Sequence, residues 1–229
     1  MIAIICAMKI EAQAIIDEME DIKTERISGI EFNSGVFCKQ QVVVAVCGVG
    51  KVFAALCTQT MIMRYAPHII FNIGVAGSLS NKLNCADIVI ATSVVQHDMD
   101  TTAVGDTLGL VSGINKINFE CDAGTVRQLK QIAQRSLQVA CVEGVIASGD
   151  RFIASKKDKE FINIWFGAVA CDMESGAVGQ VCYVNKTPFC IIRSISDLAD
   201  NTSTYDYNEF LTVACENSVT IIKNFLKRS

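Results

Sequence analysis

Three carboxylates in the sequence each come shortly after an apolar run of the kind that forms a buried strand: Glu11, Glu174 and Asp197. Because ligands of open α/β sheets bind outside the carboxyl ends of the strands, we expect these side chains to meet in one crevice. A carboxylate can activate water as a base, and one whose pKa is raised by burial can give a proton to a leaving group. The pattern therefore predicts acid–base chemistry, with Asp197 as the acid.

Each carboxylate also has a purely structural interpretation. Glu11 could be an ordinary acid in the first turn of a helix, and Glu174 could stabilise a helix start by about 0.3–1 kcal/mol. Asp200, close to Asp197, is the better candidate for capping a turn. The apolar neighbours of Glu174 predict that it is buried, and a buried carboxylate needs a dedicated partner such as a sugar diol.

Two glycine-bracketed turns could bring backbone N–H groups close to a ligand oxygen. The first, Gly74–Gly77, is equally typical of a plain turn after a strand. The second, Gly48–Lys51, lacks the spacing of a nucleotide triphosphate loop. Neither turn alone predicts a ligand.

Neither the cysteines nor the histidines predict a metal site. The eleven cysteines are scattered, and most lie in apolar runs, as expected of reduced, buried thiols in a cytoplasmic protein. Of the two histidines, His68 is expected to be structural. His97 could line a pocket or an interface, although an ordinary hydrogen-bonded histidine is the commoner case.

The composition indicates one large, well-buried domain spanning residues 1–229, since 51% of the residues are hydrophobic and 19% are charged. A net charge of −4 argues against nucleic acid and anionic membrane as partners. The first apolar run has no preceding basic residue, so no signal peptide is expected, and no stretch is long enough to span a membrane.

Short apolar runs alternate with helical patterns along the whole chain, which predicts an α/β fold with a central, largely parallel or mixed sheet. A Gly-rich segment without periodicity, Gly105–Asn118, is expected to be a mobile or interface loop. The expected strands are Ile2–Cys6, Val42–Cys47, His68–Ile73, Asp87–Thr92, Val142–Ser148, Ala168–Asp172 and Pro188–Ser194. The expected helices are Ile10–Met19, Lys51–Arg64, Asp122–Leu137, Lys156–Ile164, Glu174–Asn185 and Tyr207–Leu226.

Seven motifs in order along the chain together resemble the 5′-methylthioadenosine/S-adenosylhomocysteine nucleosidases of the nucleoside phosphorylase superfamily. They are Ala7-Met8-x-x-Glu11, Gly48-Val-Gly50-Lys51, Asn72-Ile-Gly74-Val-Ala-Gly77, His97-Asp-Met-Asp100, Ser148-Gly-Asp-Arg-Phe-Ile153, Asp172-Met-Glu174-Ser175 and Arg193-Ser-Ile-Ser-Asp197-Leu-Ala-Asp200. The resemblance implies a three-layer α/β/α fold and a homodimer in which residues 101–112 reach the partner's site.

The resemblance also implies a reaction, the hydrolysis of the N-glycosidic bond of adenine nucleosides without a cofactor or metal. Glu11 would activate water, Asp197 would protonate adenine at N7, and Glu174 would hold the ribose hydroxyls. The adenine and ribose pocket would be completed by Met8, Ala76, Gly77, Phe152, Ile153, Met173 and Tyr207.

Three other functions remain open at this point. A phosphorylase of the same superfamily would use phosphate in place of water, but such enzymes tend to carry Arg where this chain has Asn72. A related hydrolase could act on another adenine nucleoside, such as aminodeoxyfutalosine. A binding or storage protein with this fold would have no use for Glu11.

Overall fold

The computed structural model describes residues 1–201 and 203–228 of the chain. Ten strands form in the described part, and each core strand is built from β-branched and other apolar residues that pack on both of its faces. The strands are β1 (Ile2–Cys6), β2 (Glu20–Ile27), β3 (Ile30–Phe37), β4 (Gln40–Val46), β5 (Ile69–Ser78), β6 (Ile88–Gln96), β7 (Phe119–Glu120), β8 (Cys141–Ser148), β9 (Ala168–Asp172) and β10 (Phe189–Asp197).

The described residues form six α-helices, of which five connect strands and the last follows β10, and several of them begin or end at residues that cap a helix. The Asp122 side chain accepts a hydrogen bond from the Thr125 N–H, and Ser155 accepts one from Asp158. Gly167 ends a helix in the left-handed conformation. The helices are α1 (Lys9–Ile16), α2 (Lys51–Tyr65), α3 (Ala123–Ser136), α4 (Lys156–Phe166), α5 (Ser175–Asn185) and α6 (Ser203–Leu226).

All ten strands belong to one mixed sheet, which confirms the predicted architecture. Parallel pairings join β1 to β4 and β5, β5 to β10, β6 to β8 and β8 to β9. Antiparallel pairings of β10 with β6 and of β9 with β5 then close five strands into a ring. The carboxyl ends of β1, β5, β9 and β10 consequently converge on one region.

The sequence analysis missed the hairpin of β2 and β3, which extends the sheet beyond β4. Most residues of β2 are exposed, so its sequence carries no apolar run that would predict a strand. A turn with positive φ at Ser28 and Gly29 joins the two strands. Helix α6 begins at Ser203, before the predicted Tyr207, and β5 continues to Ser78, beyond the predicted Ile73.

Helices cover the sheet in two groups. One contains α1, α3 and α6, and the other contains the pair α2 and α5, with α4 packed on β8 and β9. A large apolar core lies between these layers, and in it the rings of Phe71 and Phe225 meet edge to face at 5.1 Å. None of the helices in the described ranges combines the length and apolar character needed to cross a bilayer.

Candidate active site

A cavity of about 400 Å³ opens where the ends of β1, β5, β9 and β10 converge. Four carboxylates line it although all are buried, with 3% of Glu11, 9% of Asp172, 6% of Glu174 and 2% of Asp197 exposed. The residues around the cavity are Ala7, Met8, Glu11, Val49, Val75, Ala76, Gly77, Phe152, Cys171, Asp172, Met173, Glu174, Ser196, Asp197 and Tyr207.

The Glu11 side chain is held in the first turn of α1 by backbone N–H groups of other residues. Its Oε2 accepts hydrogen bonds from the N–H groups of Ala7 and Met8, both at 2.8 Å, which forms the capping box of the helix. Its Oε1 accepts from the Val75 N–H of β5 at 3.3 Å. Burial raises the pKa of Glu11 even though these N–H groups oppose the shift. The structural and the chemical interpretation of Glu11 are therefore compatible.

Glu174 stands at the start of α5 but does not cap that helix with its side chain. Its Oε1 instead accepts a hydrogen bond from the Gly50 N–H at 2.9 Å, 124 residues away in sequence. Burial, followed by the neighbouring Asp172 carboxylate, raises the pKa of Glu174 to about 7. Of the two interpretations of Glu174, capping of the helix by its side chain is therefore contradicted, and the prediction of a buried carboxylate agrees with the structure.

Asp197 is the last residue of β10, beside Gly77 of β5. Its Oδ1 accepts from the Ala199 N–H and its Oδ2 from the Ser196 hydroxyl, both at 2.9 Å. Burial raises the pKa of Asp197, and these hydrogen bonds oppose the shift. A carboxyl group with a raised pKa holds its proton at higher pH, which is the property a proton donor needs.

Behind the cavity lies a buried polar network that the sequence analysis did not assign. Arg193 is 1% exposed and donates from Nε to Asp172 at 2.9 Å. Its other nitrogens donate to Ser175, to the side-chain and backbone oxygens of Asn72, and to the Ile192 carbonyl. Burial acts to lower the pKa of Arg193, but Asp172 and the nearby carboxylates outweigh it and raise the pKa. In the sequence, this network could have been predicted from Arg193, a charged residue within an otherwise apolar strand.

The structure brings most of the other predicted pocket residues to the same cavity. Ile153 is the exception, because it borders a small adjoining recess that Gly77, Phe152 and Asp197 share. Phe152 is half exposed at the cavity mouth, where its ring meets Tyr207 edge to face at 5.8 Å. The hydroxyl of Tyr207 lies 3.2 Å from the Met8 sulfur. The residues that line the cavity but were not predicted as site residues are Ala7, Val49, Val75, Cys171, Asp172 and Ser196.

His97 does not line this cavity, and its environment corrects the expectation of an ordinary hydrogen-bonded histidine. The ring is buried, and Nε2 has no hydrogen-bond partner among the described residues. Burial lowers the pKa of His97, so the ring is expected to be neutral near pH 7. The eleven cysteines are all free, and eight of them are buried.

The cavity is suited to acid–base chemistry on a nucleoside-sized ligand. Glu11 touches β5 at Gly74 and Asp197 touches it at Gly77, three residues or roughly 10 Å farther along the strand. One carboxylate can therefore act at each end of the space, while Glu174, bound to the start of α2 through Gly50, can hold a polar group. Apolar walls formed by Met8, Val49 and Phe152 lower the local dielectric and strengthen these interactions.

Comparison with known proteins agrees with this geometry. The family model of the phosphorylase superfamily matches residues 1–227. A 5′-methylthioadenosine/S-adenosylhomocysteine nucleosidase of Shewanella loihica is 37% identical over 227 residues, which cover 99% of this chain and 98% of the relative. The chain belongs to the 5′-methylthioadenosine/S-adenosylhomocysteine nucleosidase family. The resemblance inferred from the seven motifs is thereby confirmed.

Two solved structures extend the comparison with this nucleosidase family. The nucleosidase of Neisseria meningitidis, in complex with methylthio-immucillin-A, superposes with a TM-score of 0.95 at 34% identity and covers 100% of this chain and 99% of its own. A futalosine hydrolase mutant of Helicobacter pylori gives the same TM-score at 33% identity, with the same coverage. Nucleosidases with different named substrates thus share this fold.

Proposed function

We propose that the protein hydrolyses the N-glycosidic bond of 5′-methylthioadenosine and S-adenosylhomocysteine, releasing adenine and the 5-thioribose product. The observation that carries the proposal is that the buried carboxylates Glu11, Glu174 and Asp197 line one cavity in a member of this nucleosidase family. The bound inhibitor of the Neisseria relative, methylthio-immucillin-A, is consistent with a 5′-methylthio adenine nucleoside as ligand.

In the proposed mechanism Asp197 protonates N7 of adenine, and the purine leaves as a neutral base. Glu11 takes a proton from the water that attacks the sugar, and Glu174 holds the ribose hydroxyls. Loss of the base leaves positive charge on the ribosyl ring, which nearby carboxylates stabilise where it develops. The raised pKa of Asp197 keeps its proton available for the leaving group.

The remaining pocket residues serve recognition in this proposal. Phe152 stacks on the base, and the backbone of Ile153 binds its Watson–Crick edge through the small recess. Met173 lies beneath the sugar, while Met8 and Tyr207 border the ribose and the 5′-thio group. Ala76 and Gly77 provide the narrow wall that a flat purine requires.

The charge of the cavity favours water over phosphate as the attacking group. Among the described residues that line it, none is Lys or Arg, whereas four are acidic: Glu11, Asp172, Glu174 and Asp197. The nearest buried cation, Arg193, already donates to several protein acceptors. A phosphate dianion would meet repulsion without a matching cation, so a phosphorylase is disfavoured.

The deciding experiment measures adenine release from 5′-methylthioadenosine in phosphate-free buffer. Wild type is expected to release adenine, whereas Asp197→Asn and Glu11→Gln are expected to lose activity. Glu216→Gln, an exposed site on α6, is the matched control and should behave as wild type. Release that requires added phosphate would contradict hydrolysis, and release from aminodeoxyfutalosine alone would move the proposal to the substrate class of the Helicobacter relative.

The homodimer is part of the proposal. One face of α2 carries exposed apolar side chains, with 70% of Val52, 51% of Phe53, 46% of Leu56 and 78% of Met63 accessible. Within the described chain, no residue of the segment 101–112 lines its own cavity, although Val104 is 81% exposed. We therefore place α2 in the dimer interface and residues 101–112 against the partner's cavity.

A single charge on α2 tests this arrangement. Val52→Glu is expected to give a monomer in sedimentation equilibrium, with reduced adenine release because each cavity lacks its neighbour's segment. An intact dimer, or a fully active monomer, would contradict the arrangement.

The many buried free thiols support a reducing compartment, and we propose the cytoplasm and a role in methionine salvage.

A further inference from the structure

Two carboxylates from distant segments share the N-terminus of α2. The Gly50 N–H donates to Glu174 Oε1 at 2.9 Å, and the next N–H, that of Lys51, donates to Asp150 Oδ1 at 2.8 Å. The first N–H groups of a helix lack partners inside the helix, and the helix dipole favours anions beside them. Asp150 thus caps a helix from another part of the chain, directly beside the donor that holds Glu174.

Asp150 is itself held in place by a second acidic residue. Its backbone N–H donates to Asp98 Oδ2 at 3.0 Å, and Asp98 Oδ1 pairs with the Lys51 ammonium. These contacts connect the start of α2 at Lys51, the segment after β6 at Asp98 and the segment after β8 at Asp150. The ion pair is largely shielded, since 17% of the Lys51 side chain and 27% of the Asp98 side chain are exposed. Three segments around the cavity are therefore tied to one another here.

Gly50, the residue before Lys51, lies directly against Asp150. Its φ of +102° lies in the region that favours glycine, and a Cβ built on it would lie 3.1 Å from Asp150 Oδ1. Glu174 depends on Gly50 in turn, because within the described residues the Gly50 N–H is the only hydrogen-bond donor to its carboxylate. A shift of the turn would therefore move Glu174.

We propose that Asp150 is a positioning residue for Glu174, acting through the N-terminus of α2, with Lys51 and Asp98 holding Asp150 in place. The inference rests on the proposed function, in which Glu174 binds the ribose hydroxyls. Asp150 would then affect catalysis although it is not among the described residues that line the cavity.

The consequence should be specific to the ribose. Removal of the Asp150 carboxylate leaves the turn at Gly50 free to move, and Glu174 would move with it. A misplacement of about 1 Å at a binding group can cost on the order of 100-fold in rate. Asp150→Ala is therefore expected to lower kcat/KM for 5′-methylthioadenosine by about 10-fold to 100-fold. Asp150→Asn retains an oxygen that can accept from the Lys51 N–H, so it should recover most of the loss.

The test compares these variants with two substrates and in two backgrounds. The second substrate is a 5′-methylthio adenine nucleoside without the 2′ and 3′ hydroxyls, and the second background is Glu174→Gln. In both cases the Asp150→Ala penalty should shrink to less than about 2-fold, because residues that act through one group are not additive. The control is Asp158→Ala, which removes the ion pair to Arg151 in a neighbouring segment and should leave kcat/KM nearly unchanged.

The outcomes separate the inference from the proposed function. If wild type releases no adenine, the proposed function fails and the inference fails with it. If wild type is active and folded Asp150→Ala matches it, the inference alone is wrong. The same holds if the penalty is equal on both substrates or in both backgrounds, since a general structural defect would then explain it. Thermal unfolding of each variant verifies that the compared proteins are folded.

Discussion

Replacing Gly74 by alanine tests whether the position of the Glu11 carboxylate controls catalysis. Gly74 lies in β5, and a Cβ built on it would lie 2.5 Å from Glu11 Oε1 and 3.1 Å from Glu11 Cδ. Glu11 cannot simply swing away, because its other oxygen is held at 2.8 Å by the N–H groups of Ala7 and Met8. The strand is fixed as well, since β10 pairs with it.

The size of the displacement sets the expected effect. Ordinary contact begins at 3.4 Å, so Oε1 must retreat by about 0.9 Å. A misplacement of about 1 Å at a catalytic group can cost on the order of 100-fold, which corresponds to about 2.7 kcal/mol in the activation free energy. We therefore expect Gly74→Ala to lower kcat/KM by about 100-fold.

Adenine release and thermal unfolding are measured on the same samples. The matched control is Gly144→Ala, whose added Cβ would lie 2.6 Å from the Val169 side chain, away from the cavity. This control should lose stability but retain activity per folded molecule, whereas Gly74→Ala should lose activity while remaining folded. A folded Gly74→Ala variant with wild-type kcat/KM would refute the reasoning.

Three further predictions follow from the buried charges. Burial raises the pKa of Glu174 from 4.5 to about 7, so folding takes up a proton between these values and stability falls as pH rises through them; in chemical denaturation the free energy of unfolding of Glu174→Gln should therefore exceed that of wild type at pH 8, by up to roughly 3 kcal/mol, and should not exceed it at pH 4. Arg193→Met should cost about 3–5 kcal/mol in chemical denaturation, because it leaves Asp172 buried without its cation; a cost below 1 kcal/mol would contradict this. Asp197 is the acid of the proposed mechanism and burial raises its pKa, so kcat/KM should decline as pH rises through that pKa, and treatment with EDTA should leave activity unchanged; a rise with pH, or loss of activity in EDTA, would contradict the mechanism.

Much of the fold could be predicted because its core strands are continuous apolar runs. Strands such as Ile2–Cys6 and Ala168–Asp172 were predicted with their observed bounds, since burial on both faces leaves a signal in every residue. The hairpin of β2 and β3 left no such signal, because β2 is mostly exposed and is held by pairing with β3. Strand pairing depends on partners that local sequence does not identify.

The sequence alone determined which carboxylates are available and that each lies near the carboxyl end of a strand. It did not determine what those carboxylates contact. Glu174 looked like a helix cap, yet its hydrogen bond comes from Gly50, and Arg193 found its partners on β5, on α5 and at the end of β9. Hydrogen bonds act over about 3 Å, whereas these residues are separated by up to 124 positions, so only the tertiary structure could bring them together. The sequence therefore specified the chemical groups, and the fold decided their partners, burial and pKa.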